Sequence, residues 1–472
     1  MITPAGGTSV AEVARVAGVS SQVHTVGIAA DDLTGANDSA VQFARTGWAA
    51  RLALGALAAK QRPGTAIALV TDARAMEVEA ARSCTREAVT TLLAAGVDHL
   101  YLKIDSTMRG SVPGQVAGAL AAWSQVHLDA LAIICPAYPA MGRTVQDGVL
   151  LVNGEPVATT VIGHDPVTPV RTSLMVELIP GSVPITLGPG SAHDHATKML
   201  RATRDGARLL VIDAGSEADL TALARAIEVL GDRVVPVGAA GLAVAMAKVW
   251  GGGALPDSTA FDAHPDGARR ADAHRSGTGA VGADPSQGTT LVVVSSLHEV
   301  SRSQAEALVQ SLPADDVLVL APSLDELLGF TESDALRAWL AYRVPTGSAL
   351  PRVVVVLSPT KRHESATGSE LVAGALAALA HTIVERGRTG ALVLLGGDGA
   401  RALLHRLGAK SVQVHGAIQE GIPRGVIEGG PAAGLTVVTK AGGFGQREAI
   451  VDLVAALHVQ PVPVNVTWSE VP

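Results

Sequence analysis

Short apolar runs that break off into charged and hydroxylated residues do most to narrow the fold of this chain. His99-Leu-Tyr-Leu-Lys-Ile104 reads as a buried strand, and Asp105-Ser-Thr-Met-Arg-Gly110 follows at its carboxyl end. The same order recurs at residues 23–30 before Asp31-Asp32, at 67–71 before Asp72 and Arg74, and at 128–135 before Pro136-Ala-Tyr-Pro. Further runs lie at 209–213, 234–238, 290–296, 317–321, 352–357, 391–395 and 435–440, with helical stretches between them. This alternation predicts an α/β fold of two domains, each with a mostly parallel sheet flanked by helices. In such sheets ligands bind at the carboxyl ends of the strands, where these polar clusters fall.

A chain of 472 residues is long enough for two or three domains. Across residues 251–288 Gly, Ala, Asp, His, Ser and Arg dominate and apolar periodicity lapses, as in a flexible linker or insertion. The expected division is an N-terminal arm (1–22), a first domain (23–250), the linker and a second domain (289–472). Thr8 to Ser20 resembles the opening of a helix-turn-helix, but the next residues read as a strand where a DNA reader needs its recognition helix. A net charge of −8 also argues against a nucleic-acid partner. No apolar run is long enough to span a membrane, and residues 1–7 lack the basic start and apolar core of a signal peptide. The expected address is the cytoplasm. Cys84 and Cys135 have no paired spacing, so neither a disulfide framework nor a Cys-rich zinc site is expected. His193 and His195 have metal-ligand spacing without companions and read as surface residues, and no protein metal site is expected. Aromatics are 3% of the chain, so Ala, Val and Leu must build the core. That apolar richness is compatible with a homodimer.

The polar clusters suit a small polyhydroxylated anion. Lys103, Asp105, Ser106, Thr107 and Arg109 supply two cations, a carboxylate and two hydroxyls within seven residues. Asp31 and Asp32 end the first strand, and Gly35 allows a tight turn into a helix; one aspartate serves chemistry and the other caps the helix. Arg74 is a further anion ligand. Arg143 sits in Pro136-Ala-Tyr-Pro-Ala-Met-Gly-Arg-Thr144, whose two prolines and glycine rigidify the loop. Asn153-Gly154 is the expected turn of a hairpin. In the second half, Leu394-Leu-Gly-Gly-Asp-Gly-Ala-Arg401 and Thr439-Lys-Ala-Gly-Gly-Phe-Gly-Gln446 each follow a strand and lead into a helix. Such loops close backbone N–H groups on a phosphate, and Lys440 adds a point charge. Neither a Walker-type motif nor a dinucleotide fingerprint is present, which disfavours a nicotinamide-dependent dehydrogenase.

These residues carry a resemblance. Ala30-Asp-Asp-Leu-Thr-Gly-Ala36, Lys103 to Gly110, Pro136 to Thr144, Asp165-Pro-Val-Thr-Pro169, Gly396-Gly-Asp398, Gly421-Ile-Pro423 and Lys440-Ala-Gly-Gly-Phe-Gly445 resemble, in order, motifs of the four-carbon acid sugar kinase family. The resemblance implies an N-terminal acid-sugar domain, a C-terminal nucleotide domain, and ATP-dependent phosphorylation of the terminal hydroxyl of threonate, erythronate or 3-oxo-tetronate. It implies substrate contacts from Asp31, Asp32, Arg74 and the Lys103–Arg109 cluster. On the nucleotide side it implies contacts from Ser296, from Gly396, Gly397, Asp398 and Gly399, and from Gly442 and Gly443. Mg²⁺ would travel on the ATP phosphates, largely water-ligated. Asp32 is the first choice to accept the hydroxyl proton and Asp105 the next, with Asp31 structural. Three departures stand out: Ser295 where the family usually has Gly, Gly399 where Thr is common, and Ala441 where Ser is common. They are expected to alter ATP affinity and to leave activity in place. The alternative to a kinase is a non-catalytic acid-sugar sensor derived from one.

Overall fold

The computed structural model describes residues 24–57, 60–165, 167–251, 288–330, 333–344, 349–360, 366–419 and 421–458. The expected N-terminal arm and the 251–288 linker lie almost wholly outside the described residues.

The strands, in chain order, are β1 (Val26–Ala30), β2 (Ala49–Ala53), β3 (Thr65–Val70), β4 (His99–Lys103), β5 (Leu131–Cys135), β6 (Arg143–Gln146), β7 (Val149–Val152), β8 (Glu155–Pro156) and β9 (Val183–Ile185). They continue as β10 (Leu209–Ile212), β11 (Val234–Gly238), β12 (Thr289–Val294), β13 (Val317–Leu320), β14 (Val353–Leu357), β15 (Thr389–Leu395), β16 (Ser411–Gln419), β17 (Ile422–Glu428) and β18 (Thr436–Lys440). Fifteen of them form one sheet, in the order β13-β14-β12-β15-β18-β17-β16-β2-β3-β1-β4-β11-β5-β10-β9. Both flanks are parallel, as the alternation predicts, and their strands are buried nearly end to end, as a sheet covered on both faces requires.

The two parallel blocks are not separate sheets. β16 and β17 pair antiparallel, and β16 then pairs antiparallel with β2 (Val412 opposite Leu52), so the halves share a ladder. The blocks therefore run in opposite directions. Several inter-strand steps at roughly 20–25° of twist each separate β15 from β1, and this rotation turns the carboxyl ends of the two blocks toward one another. Among the described residues, side-chain contacts also tie the halves: Asn37 Nδ2 donates to Thr439 Oγ1 at 2.9 Å, Arg51 pairs with Glu428 at 3.1 Å, and Arg401 pairs with Asp72.

Small residues let the layers approach closely. The helix Val112–Trp123 lies so near the helix Val78–Ala94 that a Cβ at Gly114 or Gly118 would stand 2.3 or 2.2 Å from the carbonyl oxygens of Val78 and Arg82. The preceding polar loop is thereby pinned over the sheet. β6, β7 and β8 make a separate three-stranded sheet, and Asn153 and Gly154 take positive φ (53° and 86°) at its expected turn. One expectation is corrected. His193 is exposed, but His195, expected at the surface, is buried on the inner face of the helix Ala192–Ala202, its Nε2 3.0 Å from the Gly188 carbonyl oxygen. Among the described residues no helix is long and apolar enough to cross a membrane.

Candidate active site

A cavity of about 810 Å³ opens between the carboxyl ends of the two blocks. One wall comes from the first half: Asp32, Arg74, Lys103, Asp105, Ser106, Arg109 and Arg143. The other comes from Ser296, Gly396, Gly397, Asp398, Gly399, Gly442 and Gly443. Of the residues singled out from sequence, Asp31, Thr107 and Lys440 do not line the cavity and are buried next to residues that do.

The first wall is a network of matched charges. Arg74, on a single 3₁₀ turn after β3, grips Asp31 through Nε and Nη2, both at 2.9 Å, and reaches Asp32 through Nη1 at 2.7 Å. Asp31 is fully buried. Burial pushes its carboxyl pKa above the ordinary value, with the bidentate guanidinium pulling the other way. Asp32 caps the helix Leu33–Arg45, its Oδ1 accepting the Gly35 N–H at 2.6 Å, and keeps 29% of its side chain exposed toward the cavity. Gly35 is required there, because a Cβ would stand 2.8 Å from Asp32 Oδ1 and 2.9 Å from Lys103 Nζ. The sequence left one aspartate as a cap and one for chemistry; Asp32 is both the cap and the carboxylate facing the cavity.

Asp105 accepts from Thr107 N–H at 2.9 Å, from the Thr107 hydroxyl, and from Arg109 Nη2 at 2.8 Å. Burial alone would raise its pKa, but the guanidiniums of Arg74 and Arg109 and the Thr107 hydroxyl hold it well below the usual carboxylate range. Gly110 closes this loop at φ +87°, with its Cα against the Arg74 carbonyl. Arg109 also reaches Asp165 at 3.4 Å, a residue not singled out as a contact although its motif is in the sequence. Lys103 Nζ, buried, donates to the Ile104 carbonyl at 3.0 Å. Arg143 differs from the other two arginines. It donates through Nη1 to the Met141 carbonyl, its buried Nε has no partner, and among the described residues no carboxylate pairs with it. Burial holds its guanidinium below the ordinary value.

The second wall is built from backbone. Gly396 (φ +112°) leads into the helix Gly397–Arg406, with Asp398 exposed in its first turn. Ser295 packs into this loop: a Cβ would meet its Oγ at 2.5 Å from position 396 and at 2.4 Å from position 399. Ser295 and Gly399, two separate departures in the sequence, are thus one exchange of bulk between neighbours. Lys440 supplies no charge to the cavity surface. Its Nζ donates to the carbonyls of Ala441 and Phe444, both at 2.6 Å, and burial pushes its pKa down to about 8. Ser301 and Gln304 hold the same loop through the carbonyls of Gly442, Phe444 and Gln446. Pro359, Val372, Ala373 and Leu376 add an apolar face that no sequence motif announced.

Comparison with known proteins now adds to this geometry. A family model described as a sugar-binding N-terminal domain matches residues 26–246, and one described as a nucleotide-binding C-terminal domain matches residues 291–450. A D-threonate kinase of Bordetella bronchiseptica is 37% identical over 92% of this chain and 97% of its own length. The chain belongs to the four-carbon acid sugar kinase family. A D-threonate kinase of Salmonella typhimurium is 29% identical over 90% of this chain and 96% of its own. A 3-oxo-tetronate kinase of Methylobacterium radiotolerans is 26% identical over 89% and 96%. In fold, the chain is similar to a crystal structure from Salmonella typhimurium, with a TM-score of 0.71 and 20% identity over 91% of this chain and 98% of that one. The enzyme class is therefore that of an acid sugar kinase, and the sensor alternative falls away.

Proposed function

We propose that the enzyme transfers the γ-phosphoryl group of ATP to the terminal hydroxyl of a four-carbon acid sugar, with D-threonate the foremost candidate. The first half, residues 23–250, would hold the acid, and the second, from residue 289, the nucleotide. The observation that carries this reading is a single cavity with a cation–carboxylate wall facing two glycine loops. The choice of D-threonate rests on identity: 37% to one D-threonate kinase, against 26% and 27% to relatives named for 3-oxo-tetronate and D-erythronate. ATP supply and the two free thiols fit a cytoplasmic setting.

Arg143 is the natural anchor for the substrate carboxylate. Arg74 is committed to Asp31 and Asp32, and Arg109 to Asp105 and Asp165, whereas Arg143 offers an unpaired guanidinium. Lys103, Ser106 and Arg109 would frame the hydroxyls, with Thr107 buried behind them and holding Asp105. Asp32 is the proton acceptor: it faces the cavity and is oriented at both oxygens, by Gly35 N–H and by Arg74. Asp105, saturated with donors, is the weaker base and holds Arg109 in place. As the substrate oxygen bonds to the γ-phosphorus, the bond from that phosphorus to the β–γ bridging oxygen breaks, ADP leaves, and the hydroxyl proton passes to Asp32. The glycine loops at 396–399 and 442–443 would bind the phosphates through backbone N–H groups. Asp398 exposes a carboxylate that would hold a nucleotide-borne Mg²⁺, which would neutralise phosphate charge. The test is ADP release from Mg-ATP with D- and L-threonate, D- and L-erythronate and 3-oxo-tetronate. Acid-dependent release, fastest with D-threonate, is expected. Silence across the panel with ATP still bound would overturn the acid assignment.

A further inference from the structure

The nucleotide wall carries a side chain that neither glycine loop supplies. His298 lines the cavity and stands at the start of the helix Glu299–Ser311. Its Nδ1 accepts the Val300 N–H at 3.2 Å, which places the proton of the neutral ring on Nε2. Among the described residues Nε2 has no hydrogen-bond partner, so this donor is uncommitted. It lies against the second glycine loop, where a Cβ at Gly443 would stand 2.9 Å from it.

Its neighbour is prepared in the same way. Ser296 Oγ accepts the His298 N–H at 3.2 Å, which leaves the hydroxyl proton to be donated elsewhere. A Cβ at Gly442 would stand 2.0 Å from that Oγ. Two side-chain donors thus sit side by side, and the two glycines are the residues that leave room for them.

Building on the reading of this cavity as a nucleotide site, we propose that His298 is a nucleotide-binding residue whose Nε2–H donates to a phosphate oxygen of the bound nucleotide, beside the hydroxyl of Ser296. The bland reading is that His298 is only a helix cap. Two substitutions separate the two roles, because Ser and Asp are both better caps than His. His298→Ser keeps the cap and removes the reach. His298→Asp keeps the cap and turns a negative charge toward the phosphates. Both should melt at or above the wild-type temperature. ADP titrated into the full-length chain by calorimetry should bind about tenfold more weakly to the Ser variant. The Asp variant should bind more weakly again, with KM for the acid unchanged in both. Wild-type ADP affinity in the Ser variant would overturn the inference even if the Asp variant folds poorly. A wild-type chain that binds no ADP at millimolar concentration would overturn the nucleotide reading and this inference together.

Discussion

On the proposed reading, the two walls of the cavity solve the same problem, holding an anion, by opposite means. On the first-half wall two of the cations are paired in advance: Arg74 with Asp31 and Asp32, Arg109 with Asp105 and Asp165. On the second-half wall the charged side chains are Asp398 and Arg401 among the described residues, and the loops are shaped by small residues and tied from behind by Lys440, Ser301 and Gln304. The difference matches what each wall must recognise. A short acid sugar offers one carboxylate and several hydroxyls, so rigid, directional side chains discriminate between similar molecules. Polyphosphate is the same in every turnover, and backbone N–H groups bind it with little conformational entropy left to lose. The first wall should therefore be intolerant of charge changes and the second intolerant of volume changes.

Arg74→Met is the largest expected break. It strands the buried Asp31 carboxylate, and breaking a buried pair of this kind costs about 3–5 kcal/mol. Urea denaturation should show that loss together with abolished turnover; a fall of less than 1 kcal/mol would mean that the first wall is not held by its pairing. Next is Asp32→Asn. The amide still accepts from Gly35 N–H, so the helix cap survives, but the proposed proton acceptor is gone. Turnover should drop by about 10²–10⁴ with ADP affinity retained. Unchanged turnover would remove Asp32 from the base role.

Much of this wall is readable from sequence because each polar group follows a buried run. Asp31-Asp32, Arg74 and Lys103 to Arg109 all fall where β1, β3 and β4 end, and short parallel strands bring such ends together. What the sequence conceals is partnership at a distance. Nothing in the spacing says that Arg74 will spend itself on Asp31 and Asp32, 43 and 42 residues away, and so leave Arg143 without a carboxylate among the described residues. The joining of the two halves is likewise hidden between two glycine loops. Its signal is present in Ser411-Val-Gln-Val-His, where Val412 and Val414 are buried and their neighbours are not, the period of an antiparallel strand. His195 escaped for a related reason: the turn-by-turn position that carries it inward depends on where the helix Ala192–Ala202 starts.

Volume is the test of the second wall. Gly399→Thr would set a Cβ 2.3 Å from Ser295 Cβ, and backbone at a strand end cannot yield by that much without shifting the loop. ADP affinity should fall about tenfold, a modest cost for an overpacked contact. Adding Ser295→Gly in the same chain should return most of it, since the two positions exchange the same volume. Independent, additive effects of the two substitutions would show that they are not one unit.

The smallest expected effect also contrasts most directly with Arg74. Lys440 is a buried cation held by two carbonyls and no carboxylate, with its pKa pushed down to about 8, whereas an unfolded lysine titrates near 10.4. Below pH 8 both states carry the proton, and the burial cost is fully present. From pH 8 to about 10.4 the unfolded chain binds more protons than the folded one, so the folded state gains stability as pH rises. The neutral amine still has two N–H groups for the Ala441 and Phe444 carbonyls, so the loop is kept. Measured by urea denaturation against Lys440→Met, the stability difference should be flat from pH 6 to 7.5. It should then move in favour of the wild type from pH 8 to 10. A difference that moves the other way would mean that this lysine acts by its charge, and the contrast between the two walls would fail at that residue.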